Sequence, residues 1–463
     1  MTWSKDLGSF RDPSGFVFAS DGVVYRQVNA GFGALYRRLK TSGLYDDLVR
    51  DRLLVGHEEV ALHLPGAPPA DTILRPEQVP FISYPYEWCF SQLQAAALLT
   101  LDIQRRALAK GMTLRDASAY NVQFVGTRPV FIDTLSFGEY AEGKPWAAYR
   151  QFCQHFLAPL ALRAHTHGSL GDLARIHIDG IPLELASRLL PYRSRLSPGL
   201  LLHLHLHGRS ATRAATGEPV ASRSTGAGMG RTAMLGLLDS LERTVRRLSW
   251  KAPATLWSTY AAHSNYTAAA QEDKRRIVSE MIETVASRTR LRTIWDVGAN
   301  DGAYSRIAAA TGANVVAFDS DHAVVERHFR AARESTGSVL PLVQDVANPS
   351  PATGWNSSER KALLERGPAD LALALALVHH LALGANVPLE SVAAVFSRMC
   401  RYLVIEFVPK EDSQVQEMLA LREDVFEHYT QAGFERAAGP HFTILRSERI
   451  ADTVRTVYLL ERR

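Results

Sequence analysis

The stretch TIWDVGANDGAYSRIAAATGANVVAFDSD, residues 293–321, constrains this chain more than any other. An apolar run, a glycine-containing turn, a helical pattern and a second apolar run ending in acid read as strand, turn, helix, strand. Apolar runs at 293–297 and 314–318 are followed by others at 339–343, 370–377 and 402–408, with helical patterns between them. That alternation predicts an α/β domain, a parallel sheet covered by helices on both faces. The tail HFTILRSERI…RTVYLLERR predicts a closing antiparallel hairpin.

A chain of 463 residues is too long for one ordinary core, so two or three domains are expected. The segment GRSATRAATGEPVASRSTGAGMGRT (208–232) has almost no large apolar residue and cannot bury a core. It reads as a flexible linker, a solvated tether despite its four arginines against one glutamate, between a domain at 1–207 and another at 233–463. The first domain opens on strand-like segments at 15–28, with Asp21-Gly22 as a hairpin turn. Helical patterns follow near 33–49 and at 91–111, an α+β order. Helices are expected at 233–249 and 270–287 as well.

Lys plus Arg exceeds Asp plus Glu by only 4, so no global pull toward nucleic acid or anionic lipid is expected. Cys89, Cys153 and Cys400 lie far apart, with no zinc-type pair and no disulfide framework. No apolar run opens the chain, and LALALALV (371–378) is far short of the ~20 residues that span a bilayer. A soluble cytoplasmic protein with no membrane partner is the expectation; oligomeric state is not legible.

The turn after the first strand of 293–321 distinguishes two kinds of site. A dinucleotide site wants G-x-G-x-x-G with pyrophosphate at the helix start. Here Gly298-Ala-Asn300-Asp301-Gly302 carries one acid, with Asp296 just before it. Like charges ~4 Å apart repel by about 4 kcal/mol at an effective dielectric of 20, so a pyrophosphate is disfavoured. A cofactor bearing an ammonium and a sulfonium is attracted instead.

On these residues, 293–463 resembles the class I S-adenosylmethionine-dependent methyltransferases. The resemblance implies a doubly wound, Rossmann-like sheet with a terminal antiparallel hairpin, and S-adenosylmethionine as cofactor. Asp296, Gly298, Asn300 and Gly302 match the family's first motif, with Asn300 in place of its middle glycine. Asparagine tolerates left-handed backbone angles, so the turn can survive. Asp319 stands where the family grips both ribose hydroxyls, and Asp345 where an acid receives the adenine amino group. His379 and His380, in ALALVHHLAL, are candidate catalytic bases or starters of the next helix, and both readings stay open. Glu406 is a candidate substrate contact or part of a polar network at a strand end. Tyr260 and Tyr266, in WSTYAAHSNYT, are candidate lid residues or plain aromatic packing. VHHLAL and VIEFVPKEDSQVQ also resemble bacterial methyltransferases of the nodulation-protein-like kind. Methyl transfer relies on alignment, which can supply ~7–11 kcal/mol, so no metal is expected.

In the first domain, RDASAYNVQFVGTRPVFIDT spaces Asp116, Asn121 and Asp133 in a way that resembles protein kinases and aminoglycoside phosphotransferases. That resemblance, over residues 14 to about 207, implies an α+β kinase-like fold in which Asp116 accepts a hydroxyl proton and Asn121 and Asp133 hold magnesium. Several parts are missing. The hairpin has one glycine, no lysine lies between Lys40 and Lys110, and Arg26 stands where an ATP-binding lysine belongs. Thr134-Leu135 follows Asp133 where a glycine is wanted. A degenerate, accessory domain shaping substrate access is therefore expected, with coincidence of spacing as the other reading. In LLHLHLHG (201–208), His203, His205 and His207 would share one face of a strand, while on a helix His203 and His207 would align instead; no neighbouring acid or cysteine completes either metal site.

The leading expectation is a methyltransferase acting on oxygen or nitrogen of a small molecule in specialised metabolism. A bifunctional methyltransferase and phosphotransferase using magnesium-ATP is the second. A non-catalytic module that binds S-adenosylmethionine is the third.

Overall fold

The computed structural model describes residues 3–208, 229–255, 266–335, 338–420 and 424–463. They fall into two units, Met1–Lys251 with Thr353–Arg360, and Ala252–Ala352 with Lys361–Arg463. No helix among the described residues is long and apolar enough to cross a membrane.

The first unit is built on a five-stranded antiparallel sheet of β1 (Trp3–Lys5), β2 (Gly15–Ser20), β3 (Val23–Asn29), β4 (His57–Val60) and β5 (Ala70–Pro76), in the order β1-β2-β3-β5-β4. Asp21 and Gly22 turn the chain between β2 and β3 with φ of 51° and 77°, the left-handed angles that a two-residue hairpin demands. The single helix expected near 33–49 is two helices, Gly33–Thr41 and Leu44–Arg50. Gly43, at φ 73°, breaks them, because glycine alone enters that conformation without cost. The long helix Phe90–Ala109 follows, then two small hairpin-like sheets, β6 (Met112–Leu114) with β9 (Phe137–Glu139) and β7 (Val122–Val125) with β8 (Arg128–Phe131).

The division between units corrects the expected one. It falls after Lys251, so the helix Arg231–Arg247, expected in the second domain, belongs to the first. This helix buries Met234, Leu238, Leu241 and Val245 along one face. Gln94 Nε2 donates to the carbonyls of Val245 and Leu248, both at 2.9 Å, and Arg105 pairs with Asp239 and Glu242 at 2.7 Å. The body of the expected linker, 209–228, lies outside the described residues.

The second unit carries seven strands: β10 (Thr293–Val297), β11 (Asn314–Asp319), β12 (Val339–Val343), β13 (Ala369–Ala374), β14 (Cys400–Phe407), β15 (Phe442–Arg449) and β16 (Thr456–Arg462). Their order is β12-β11-β10-β13-β14-β16-β15. β10 to β14 are parallel, while β16 runs antiparallel to both β14 and β15. Each parallel strand coincides with one of the apolar runs, because strands packed on both faces have no polar side to show. The helix Ala268–Arg288 packs Ile277, Val278, Met281, Ile282 and Val285 into the same core as Ile294, Val315, Leu371 and Val404. Fully burying such side chains is worth about 1.5–3 kcal/mol each. The strand order reverses between β10 and β13, and open α/β sheets bind ligands outside the carboxyl ends at such a point.

Candidate functional site

A cavity of about 190 Å³ opens at that reversal. It is lined by Gly298 and Asn300 after β10, Asp319 and Ser320 at the end of β11, Gln344 and Asp345 after β12, and Leu375, Ala376, Leu377 and His380 after β13. Four successive strand ends therefore converge on one space.

The turn after β10 is set by its backbone. Gly298, Asn300 and Gly302 take φ of 78°, 46° and 77°, so asparagine does occupy the left-handed region at the middle position. The N–H groups of Gly298 and Ala299 both donate to the Phe318 carbonyl at 2.9 Å, which ties the turn to β11. A Cβ on Gly302 would sit 2.0 Å from His328 Nε2. Gly302→Ala therefore meets both a disfavoured φ and a collision, and should destabilise the protein by about 1–3 kcal/mol. Thermal melting checks this, and an unchanged midpoint would refute it.

Asp319 is half-buried, and two backbone donors meet its carboxylate: Asn300 N–H at Oδ2 and Asp321 N–H at Oδ1, each at 3.0 Å. Burial raises its pKa to about 6 against the pull of those donors. Asp345 is exposed at the rim and caps the Ala347 N–H at 2.9 Å. Gln344, unremarked in the sequence, is buried and fixes the same loop by accepting from Ser350 N–H at 2.9 Å.

Asp296 and Gly302 do not line the cavity. Asp296 is 2% exposed, accepts from Ser305 Oγ at 2.6 Å, and is pushed to about 6 by burial. It braces the helix after the turn. The two histidines separate as well. His380 lines the cavity, and burial lowers it to about 4, which leaves a neutral imidazole. His379 is fully buried outside the lining, its ring 4.0 Å from that of His380, with neither nitrogen hydrogen-bonded among the described residues.

Glu406, at the end of β14, is fully buried in a polar network at that strand end, the second of the two readings open from the sequence. It pairs with Lys274 at 2.7 Å, accepts from the Tyr266 hydroxyl, and lies 3.6 Å from Arg455 Nη1. Arg455 makes a two-pronged contact with Asp412, at 2.7 and 3.0 Å, and donates to Tyr266 Oη at 2.8 Å. Burial alone would raise Glu406, but Lys274 and Arg455 together hold it below the ordinary carboxylate range. Tyr266 is thus anchored by its hydroxyl, and the side of Lys274 and Arg455 covers its ring, the cations 4.9 and 4.4 Å from the centroid. Tyr260 lies outside the described residues.

In the first unit, Asp116, Asn121 and Asp133 are connected differently from a metal site. Asp133 Oδ1 pairs with Arg26 at 2.8 Å, and Oδ2 accepts from Ser136 Oγ at 2.6 Å. Asn121 Nδ2 donates to the same Ser136 Oγ at 3.1 Å. Asp116 accepts from Ser118 N–H at 2.8 Å, and burial raises its pKa. It borders a cavity of about 210 Å³ together with Tyr120, Asn121, Gln151, Glu359 and Arg360. Glu359 grips Arg11 with both oxygens, at 2.5 and 3.0 Å, and the Arg360 guanidinium lies 4.1 Å over the Tyr120 ring.

The histidine run is a π-helical turn, Leu201–Leu206. His203 is held by Tyr149 Oη and Ser240 Oγ, both at 2.8 Å, and His205 by Ser187 Oγ at 2.7 Å and Ser194 Oγ at 2.9 Å. His207 stacks on Tyr149 with 4.8 Å between centroids. Hydroxyl groups occupy both nitrogens of His203 and His205, which explains two buried imidazoles without a metal.

No family model matches the chain. Among solved structures, magnesium protoporphyrin IX methyltransferase (ChlM) from Synechocystis PCC 6803, with bound SAH, covers 44% of this chain and 93% of its own, at 17% identity and a TM-score of 0.32. N-methyltransferase NodS from Bradyrhizobium japonicum WM9 covers 41% of this chain and 97% of its own, at 10% identity and a TM-score of 0.31. In sequence, nodulation protein NoeA of Rhizobium meliloti (strain 1021) is 35% identical over 465 residues, spanning 98% of this chain and 95% of its own. A likeness of that degree along nearly the whole length places the chain in the family of nodulation protein NoeA.

Proposed function

We propose that the protein is an S-adenosylmethionine-dependent methyltransferase whose second unit binds the cofactor in the cavity at the strand reversal. One observation carries this reading. The Asp319 carboxylate stands at the end of β11, fastened to the left-handed turn Gly298–Gly302 through Asn300 N–H, and lines the cavity with Asp345. Asp319 then accepts from a ribose diol, Asp345 at the rim from an adenine amino group, and Leu375, Leu377 and Leu381 cover the apolar faces. Gly298 supports the fit, because a Cβ there would come 3.4 Å from Leu377 Cδ1 and narrow the cavity. Bound there, the cofactor supplies an already activated methyl group. The chain's own task is alignment and exclusion of water. His380, with a pKa near 4, is a weak match for a general base at neutral pH, so it acts mainly as a neutral wall of the site.

We assign the acceptor to small molecules carrying oxygen or nitrogen. The relative's name, a nodulation protein, fits specialised metabolism. The first unit reads best as a kinase-like scaffold that has lost phosphoryl transfer. Arg26 on Asp133 and Ser136 on both Asp133 and Asn121 fill the positions where magnesium would be held. Calorimetric titration tests both parts. S-adenosylhomocysteine should bind with a Kd in the micromolar range, on the order of −8 kcal/mol, and magnesium-ATP should give no heat. Silence with the first ligand would overturn the methyltransferase reading. Saturable heat with the second would restore the bifunctional one.

A further inference from the structure

Ala376 is a non-glycine residue with φ of 50°, in the turn that leaves β13. Alanine takes this left-handed conformation only when something holds it there. The turn lines the cavity with three consecutive residues, Leu375, Ala376 and Leu377, and Leu377 also starts the segment bearing His380, whose N–H donates to the Leu377 carbonyl at 3.0 Å. The holding contact is visible. Ala376 N–H donates to Glu406 Oε2 at 2.8 Å, and Lys274 Nζ contacts the same oxygen at 2.7 Å. The other oxygen of Glu406 takes the Tyr266 hydroxyl and faces Arg455. Glu406 is thus fixed on every side except the one it turns to the strained turn.

We propose that Glu406 is a positioning residue of the cofactor site, a clamp that keeps the turn after β13 in its left-handed form and so sets the position of Leu375, Leu377 and His380. Lys274 serves to hold the clamp in place. The clamp rests on the methyltransferase reading only for its functional meaning, since the restraint of the turn is a property of the protein alone.

The test releases the clamp without stranding a charge. Glu406→Leu with Lys274→Met removes both members of the ion pair and leaves Arg455 on Asp412, a kind of exchange that buried ion pairs often tolerate. Amide hydrogen exchange of the ligand-free protein should quicken about tenfold or more across 375–381 while β10 and β11 stay protected. S-adenosylhomocysteine should bind about 10- to 100-fold more weakly, and adding Ala376→Gly, which needs no clamp to hold a positive φ, should recover most of that loss. Unchanged exchange at 375–381, or no recovery with glycine, would overturn the clamp. If the unaltered protein does not bind S-adenosylhomocysteine, the methyltransferase reading falls, while the exchange measurement still decides the clamp. Ala376→Gly alone keeps every ion pair, so it reports even where the double variant does not fold. It should raise the melting temperature, and a fall or no change would count against a strained turn.

Discussion

Asp319→Ala should abolish cofactor binding and at the same time flatten the pH dependence of the ligand-free protein's stability. Hydrogen bonds to a charged group contribute about 1.5–3 kcal/mol each, so losing two from a ribose diol weakens binding by roughly 10²- to 10⁴-fold. The effect on stability comes through the titration of the same group. Burial raises the Asp319 carboxyl to about 6, above its unfolded value near 4. A carboxyl raised in this way stabilises the fold fully below about pH 4, and that contribution is lost as pH rises through 6. At pH 7 the folded protein therefore holds an ionised group that burial disfavours, and alanine removes its titration together with the hydrogen bonds from Asn300 and Asp321 N–H. Asp296 follows the same rule, also near 6, so melting temperature should fall between pH 4 and 6 from both groups and less steeply in Asp319→Ala. Affinity for S-adenosylhomocysteine should rise over the same interval, as Asp319 ionises. Calorimetry with melting curves at several pH values separates these effects. A variant that binds normally would remove Asp319 from the site.

The largest loss of stability is expected from Arg455→Leu. Arg455 is fully buried and is the two-pronged partner of Asp412. Without it, Asp412 loses that two-pronged contact and Glu406 loses the guanidinium it faces. Breaking a buried ion pair by removing one partner costs about 3–5 kcal/mol, which for a unit of this size lowers the melting temperature by roughly 6–20 °C. Arg276 offers the contrast. It pairs with Asp273, Glu280 and Glu448, all at or below 2.9 Å, but it is about half exposed. Exposed pairs contribute about 0–1 kcal/mol, so Arg276→Ala should hardly move the midpoint. Equal shifts for the two variants would mean that burial does not govern the Arg455 network.

The sheet of the second unit was legible because its strands are continuous apolar runs and its turns carry residues chosen for positive φ. Asp319 was legible for a related reason: an acid that ends an apolar strand has few structural roles open to it. Glu406 was legible as part of a polar network at a strand end, but its partners were not. Tyr266 and Arg455 are 189 positions apart, and nothing local distinguishes either from a surface residue. Helix Arg231–Arg247 failed differently. Its amphipathic pattern requires a partner but does not name one, and the glycine- and serine-rich stretch before it suggested the wrong side. The run LLHLHLHG had two periodicities to choose from and adopted a third, a π-helical turn in which His203 and His205 find hydroxyl partners from elements far along the chain.

The first unit is closed by Thr353–Arg360, a piece separated from the rest of it by residues 252–352. During synthesis, Arg11 must therefore wait for Glu359, and Tyr120 for Arg360, until about a hundred more residues have emerged, on the order of 10 s at 5–20 residues per second. A fragment cut after Lys251 never receives them. Such a fragment keeps Arg11 on Asp179 alone, at 3.3 Å, and loses the guanidinium that covers the Tyr120 ring beside Asp116.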